Sequence, residues 1–155
     1  MSNPFMKRAI ELALENVKLN QGGPFGAVIV RDGEIVAEGY NIVTSSCDPT
    51  AHAEVTAIRR AAAALGQFHL GGCEIYTSCE PCPMCLGAIY WAHLDRIYFG
   101  CTHKDAADVG FDDSAIYQEM RRSLNERKIP IIGMDREAAM VAFDAWRVSI
   151  AKVEY

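Results

Sequence analysis

Cys73-Glu74-Ile75-Tyr76-Thr77, then Pro81-Cys82-Pro83-Met84-Cys85, then Asp95-Arg96-Ile97-Tyr98-Phe99-Gly100 follow one another within residues 73–100. The outer two segments are short and rich in aromatic and β-branched residues, which predicts strands. The residues between them, Pro81 to Ala92, predict a helix, because proline suits a first helical position: it has no amide proton to leave unpaired. A helix flanked by two strands is a crossover unit, whose strands run parallel in a sheet covered on both faces. The same helix carries the chemistry. Cys82 and Cys85, three apart, can point to one side of its first turn. Exposed amides at a helix N-terminus favour the thiolate forms that bind a soft metal. Alone, a C-x-x-C fits a redox pair or half a structural zinc site equally well.

Working toward the N-terminus, the alanine-rich run Ala53 to Ala64 predicts a helix, and immediately before and within it stand His52 and Glu54. Histidine adds a third metal ligand, and a carboxylate two residues on can act as an acid/base that does not ligate. Three protein ligands leave zinc's fourth tetrahedral position for water, the catalytic and not the structural arrangement. Cys79 leaves a second reading open, since Cys79, Cys82, Cys85 and His52 could close a Cys3His structural site. Against it, Cys79 belongs to the strand exit, and the extended residue before Pro81 separates it from the helix turn. Cys47, Cys73 and Cys101 read as core or loop thiols.

His52-Ala53-Glu54 with Pro81-Cys82-Pro83-Met84-Cys85 resembles the zinc-dependent nucleobase deaminases, whose signature is H-x-E followed by P-C-x-x-C. Within that superfamily Pro49-Thr50-Ala51-His52-Ala53-Glu54, Tyr76-Thr77-Ser78-Cys79-Glu80-Pro81-Cys82 and Phe111-Asp112-Asp113 are similar to the small bacterial guanine deaminases. The resemblance implies a cytidine deaminase-like fold and hydrolysis of free guanine to xanthine and ammonia, with water attacking C2. It implies one zinc on His52, Cys82 and Cys85, and Glu54 as proton shuttle. It implies Asp113 as a carboxylate facing guanine's amino group, Asn41 as a donor to the purine, and Phe25 and Trp91 as stacking aromatics. His103 and Asp105 are further candidates for substrate contact. It also implies a homodimer in which the C-terminal segment is exchanged and Tyr155 closes the neighbour's pocket. A tRNA adenosine deaminase shares the motif and is the enzymatic alternative; a structural-zinc or redox module is the non-enzymatic one.

Length and composition agree with these expectations. At 155 residues, half of them apolar, the chain is one domain's worth and can bury a sizeable core. Twenty acidic against 15 basic residues leave a net charge of −5, which argues against a polyanionic nucleic-acid partner and not at all against a small base. Residues 1–23 are amphipathic and interrupted by charge, so neither a signal peptide nor a membrane span is expected. The six cysteines are expected as reduced thiols in a cytoplasmic protein.

The remaining elements complete an α/β fold. Asn3-Pro4 caps and starts a first helix, whose core-facing stripe is read as Met6, Ala9, Ile10, Ala13, Leu14 and Val17. Phe25 to Arg31 and Glu34 to Gly39 predict a hairpin across Asp32-Gly33. Tyr40 to Pro49 is a polar loop, and residues 101–113 form a long loop, which in a compact domain usually carries function. Ser114 to Leu124 predicts a short helix, Ile129 to Ile132 a strand and Asp135 to Lys152 a terminal helix. The expected architecture is a three-layer α/β/α sandwich with a five-stranded mixed sheet.

Overall fold

The computed structural model describes residues 3–155. The chain divides into two compact units, one ending at Asp113 and the other Ser114–Tyr155. In chain order the first unit contains α1 (Pro4–Leu19), β1 (Gly26–Arg31), β2 (Glu34–Tyr40), α2 (Val43–Ser46), α3 (Ala53–Leu65), β3 (Cys73–Cys79), α4 (Pro83–Trp91), β4 (Arg96–Cys101) and α5 (His103–Asp108). The second contains α6 (Ser114–Arg121), a 3-10 turn at Leu124–Glu126 and α7 (Arg136–Val148).

Strand alternation builds the layers. On β1, Ala27 and Ile29 face one side and pack with Ile75 of β3, Ala53, Ala57 and Ala61 of α3, and Ile89 of α4. Val28 and Val30 face the other side, with Tyr76 and with Leu12 of α1. A strand buried on both faces reads as a continuous apolar run, as Ala27 to Val30 does. Burying each large aliphatic side chain stabilises the fold by about 1.5–3 kcal/mol. The sheet order is β2-β1-β3-β4. β1 is antiparallel to both neighbours, and β3 and β4 run parallel, Tyr76 opposite Tyr98 and Cys79 opposite Cys101. Asp32 and Gly33, the hairpin residues, both take positive φ (52° and 80°), as a two-residue turn matched to strand twist requires.

The α/β layering and mixed sheet are as expected, with three corrections. The sheet has four strands among the described residues: 129–132 forms none, and a lone apolar run makes no strand without a ladder partner. The α1 stripe is turned: Ala9, Leu12, Ala13 and Asn16 are buried, whereas Ile10, Leu14 and Val17 are exposed. Two loops hold short helices, α2 and α5, the latter closed by a capping box between Thr102 and Asp105.

Close packing sets α3 against β2. A Cβ on Gly39 would lie 2.2 Å from the Ala53 carbonyl oxygen and 2.5 Å from the Ala57 nitrogen. Only glycine lets the strand approach the helix that begins at His52 this closely.

Candidate active site

Two helix starts meet at the ends of the strands. His52 is the N-cap of α3 and Cys82 the N-cap of α4, both with extended backbone. Asp48 folds the approach to His52: its Oδ1 accepts from the Thr50 amide (2.8 Å) and hydroxyl (2.6 Å), an Asx turn. His52 Nδ1 then lies 3.6 Å from Cys82 Sγ and 3.5 Å from Cys85 Sγ. All three ligand atoms fall within 4.8 Å of one another. On one tetrahedral zinc, with Zn–N of about 2.0 Å and Zn–S of about 2.3 Å, nitrogen and sulfur stand about 3.5 Å apart. The donor set and its spacing therefore fit zinc.

The ligand atoms share their protons through hydrogen bonds. A hydrogen bond from Cys85, with a further one from His52, draws the Cys82 thiol down to about 4. Cys85 holds the shared proton and is pushed up, chiefly by that same bond. His52 is raised by its hydrogen bond with Cys82. Cys79 is different: burial pushes its thiol up to about 11, its Sγ donates to the Thr102 carbonyl at 3.5 Å, and it stands outside the three-ligand group. The arrangement is a three-ligand site.

Glu54 sits in the first turn of α3 and is 6% exposed. Thr77 Oγ1 donates to its Oε1 at 3.3 Å and Cys85 Sγ to its Oε2 at 3.4 Å. Burial raises its pKa, the shift that suits a carboxyl to exchanging protons near neutral pH. It belongs to no ligand group among the described residues.

Asn41 is buried at the end of β2. Its Oδ1 accepts from the amides of Gly23 and Val43, both at 3.2 Å, and its own amide donates to the Phe25 carbonyl at 3.1 Å. That leaves the carboxamide NH2 as a donor. Phe25 is half-buried and meets Phe111 edge-on, with centroids 4.9 Å apart and planes at 86°. Two residues beyond Phe111, Asp113 is half-buried; burial raises its carboxyl, and the Cys82 charge raises it further. Asn41, Phe25 and Asp113 are thus tied through neighbours into the same end of the sheet as the metal ligands.

Trp91 ends α4, about 13 Å of helix rise from Cys82, and is 65% exposed; it does not lie beside its own chain's metal ligands. Tyr155 is in the second unit and 74% exposed. His103 is held by Glu80, whose Oε2 accepts its amide (3.1 Å) and meets its Nδ1 at 2.8 Å. Asp105 is the capping-box partner of Thr102, the α5 N-cap, and its Oδ2 accepts from the Thr102 amide and hydroxyl. Asn16, Thr77 and Glu80 escaped the sequence reading. Asn16 had one available signal, a polar side chain three residues beyond Ala13 on the face that includes Ala9.

Residues 2–101 match the family model described as the cytidine and deoxycytidylate deaminase zinc-binding region. The chain is 56% identical over 151 residues to the guanine deaminase of Bacillus subtilis strain 168, covering 97% of each. An X-ray structure of guanine deaminase from Bacillus subtilis superimposes with a TM-score of 0.96 at 54% identity, over 100% of this chain and 99% of that one. The tRNA-specific adenosine deaminase of Aquifex aeolicus is 42% identical over 81 residues, 52% of this chain and 54% of that protein. With residues 2–101, more than half of the chain, matched to the zinc-binding region and the ligand atoms of His52, Cys82 and Cys85 brought together, the chain belongs to the cytidine and deoxycytidylate deaminase family.

Proposed function

We propose that the protein catalyses the hydrolytic deamination of free guanine, guanine and water giving xanthine and ammonia. The observation that carries this reading is the 56% identity to a guanine deaminase over 97% of both chains. Likeness to tRNA-specific adenosine deaminases is lower, 38–47% identity, and covers 50–70% of this chain.

Zinc on His52, Cys82 and Cys85 supplies the Lewis acidity that makes water a nucleophile near neutral pH. Glu54, held by Thr77 on one oxygen, takes one proton from the attacking water and delivers it to the ring nitrogen beside C2. It then carries the second proton, from the hydroxyl now on C2, to the amine, so that the C2–N bond breaks as the carbonyl forms and ammonia leaves. Asp113 accepts from guanine's N1–H and amino group, a pair of donors that adenine lacks on that edge. The Asn41 NH2 donates to the purine from another side, and Phe25 lies against its flat face.

The dimer belongs to the same proposal and is supported by features within each unit. β4 is an edge strand whose Tyr98 and Phe99 are exposed. No residue from 114 to 155 is buried, although the segment includes Ile129, Ile132, Phe143 and Trp146. Apolar surface on this scale calls for a partner, and a second copy exchanging its C-terminal segment provides one. Trp91 and Tyr155 are assigned to the pocket of that second copy. No helix among the described residues is long and apolar enough to cross a membrane. All six cysteines are free thiols, which supports a reducing, cytoplasmic setting.

Side-by-side ammonia assays on guanine, adenine, cytosine, guanosine and a tRNA anticodon stem-loop test the function. Free guanine is expected to be preferred by about 100-fold or more, since an unmatched carboxylate and a closed pocket both penalise the competitors. Faster deamination of the anticodon adenosine would replace this function with tRNA editing.

A further inference from the structure

Asn16 is out of place as a core residue. It lies on the buried stripe of α1 with Ala9, Leu12 and Ala13 and is 2% exposed. Its Oδ1 is buried with no hydrogen-bond partner, a desolvation that leucine in the same place would avoid. Its NH2, by contrast, is fully used. Nδ2 donates to the Gly23 carbonyl at 2.7 Å and to the Asn41 carbonyl at 2.8 Å. Those two carbonyls belong to separate segments, the turn after α1 and the end of β2.

The same two segments are joined a second time. The Gly23 amide donates to Asn41 Oδ1, and Gly22 packs so tightly that a Cβ there would stand 2.2 Å from the Asn41 carbonyl oxygen and 2.6 Å from its Oδ1. The Asn41 amide donates to the Phe25 carbonyl. One buried carboxamide therefore anchors a small backbone frame carrying Asn41 and, two residues beyond Gly23, Phe25. With its Oδ1 pinned by the Gly23 and Val43 amides, the Asn41 carboxamide has one orientation, NH2 outward. A free asparagine side chain would lose rotamer freedom on binding a base, and a pinned one has already lost it.

We propose that Asn16 is a positioning residue for substrate recognition: it presents the Asn41 carboxamide, through the Gly22-Gly23 turn, in the orientation that receives the purine. The inference rests on the reading of Asn41 as the purine donor. It assigns Asn16 no contact with substrate and no part in proton transfer.

A double-mutant cycle on the zinc-loaded protein tests it, with guanine kcat and KM measured for Asn16→Leu, Asn41→Ala and the pair. Zinc content and thermal midpoint confirm that each variant is folded. Asn16→Leu is expected to raise KM about tenfold, equivalent to about 1.4 kcal/mol, with kcat changed less and zinc retained. In the Asn41→Ala background the same substitution should change KM less than about twofold, because its effect passes through the missing carboxamide. An equal factor in both backgrounds overturns the inference while leaving the role of Asn41 intact. An Asn41→Ala variant with unchanged kcat and KM refutes that role, and the inference with it. Gly22→Ala, which presses on Asn41 without altering α1, is measured in both backgrounds as well and decides the matter should Asn16→Leu not fold. Its KM effect should likewise disappear with Asn41→Ala, and persistence overturns the inference.

Discussion

Thr77 and Glu54 meet inside the protein, hydroxyl to carboxylate at 3.3 Å, with Thr77 1% and Glu54 6% exposed. Thr77 lies on β3, the strand leading into the metal-ligand turn, and Glu54 on the first turn of α3. The contact fixes one carboxylate oxygen and so sets where the other is presented.

Removing the carboxylate charge should abolish turnover and spare the metal. Glu54→Gln keeps hydrogen-bonding capacity but cannot shuttle a proton. Guanine deamination is expected to fall at least to the upper end of the roughly 10²–10⁴-fold range for general acid–base catalysis, with zinc content unchanged. Thr77→Val should cost about tenfold in kcat, the scale of one hydrogen bond to a charged group. Comparable turnover by folded, zinc-loaded Glu54→Gln would refute the role given to Glu54.

Metal analysis should separate the cysteines. Cys82→Ser, Cys85→Ser and His52→Ala each remove a ligand atom from the cluster and should lose zinc and activity together. Cys79→Ser should retain both, because Cys79 lies outside the cluster and its burial disfavours the thiolate. Zinc loss in Cys79→Ser equal to that in Cys82→Ser would restore the closed Cys3His site.

The packing of α1 on β2 should weaken in acid. Arg8 makes two bonds to Glu38, 2.7 Å and 2.9 Å, and this hydrogen bonding lowers the Glu38 pKa. A lowered carboxylate contributes stability above its unfolded value, about 4.3, and loses it as pH falls through the lower folded value. Both side chains are about a third exposed, so solvent screening keeps the contribution small. Glu38→Gln should cost about 0.5–1 kcal/mol at pH 7, and urea midpoints of variant and parent should draw together as pH falls below the unfolded carboxylate value. A gap that stays the same size throughout the acid range would place the effect in packing and not in charge.

The tail should act on catalysis and not on folding. Glu154 and Tyr155 are exposed, so deleting both should leave the thermal midpoint unchanged while guanine turnover falls as water enters the pocket. Refolding this truncated chain with Glu54→Gln should restore activity if the tail closes a neighbour's site. Heterodimers without recovery would rule out closure in trans.

The metal ligands, the acid/base and the crossover unit were legible in the sequence because each is a local code: a proline-started turn with cysteines three apart, a histidine at a helix start, apolar runs of strand length. The hairpin was equally plain, since Asp32-Gly33 is one of the few pairs suited to positive φ at both positions. Periodicity found α1 but turned its inner face toward Ile10 and Val17, because the helix is oriented by what it packs on, and the Gly26 contact with Ala9 and Ala13 is not written in α1 itself. The fifth strand at Ile129–Ile132 failed for the same reason: an apolar segment has strand propensity by itself but becomes a strand only against an edge. What tertiary structure alone decided is how residues far apart in the chain hold one another. His52 Nδ1 reaches two sulfurs across thirty residues, Thr77 aims Glu54, and Asn16 ties down Asn41. Hydrogen bonds of this kind depend on ångström-scale proximity between separate elements, and no spacing along the chain encodes that distance.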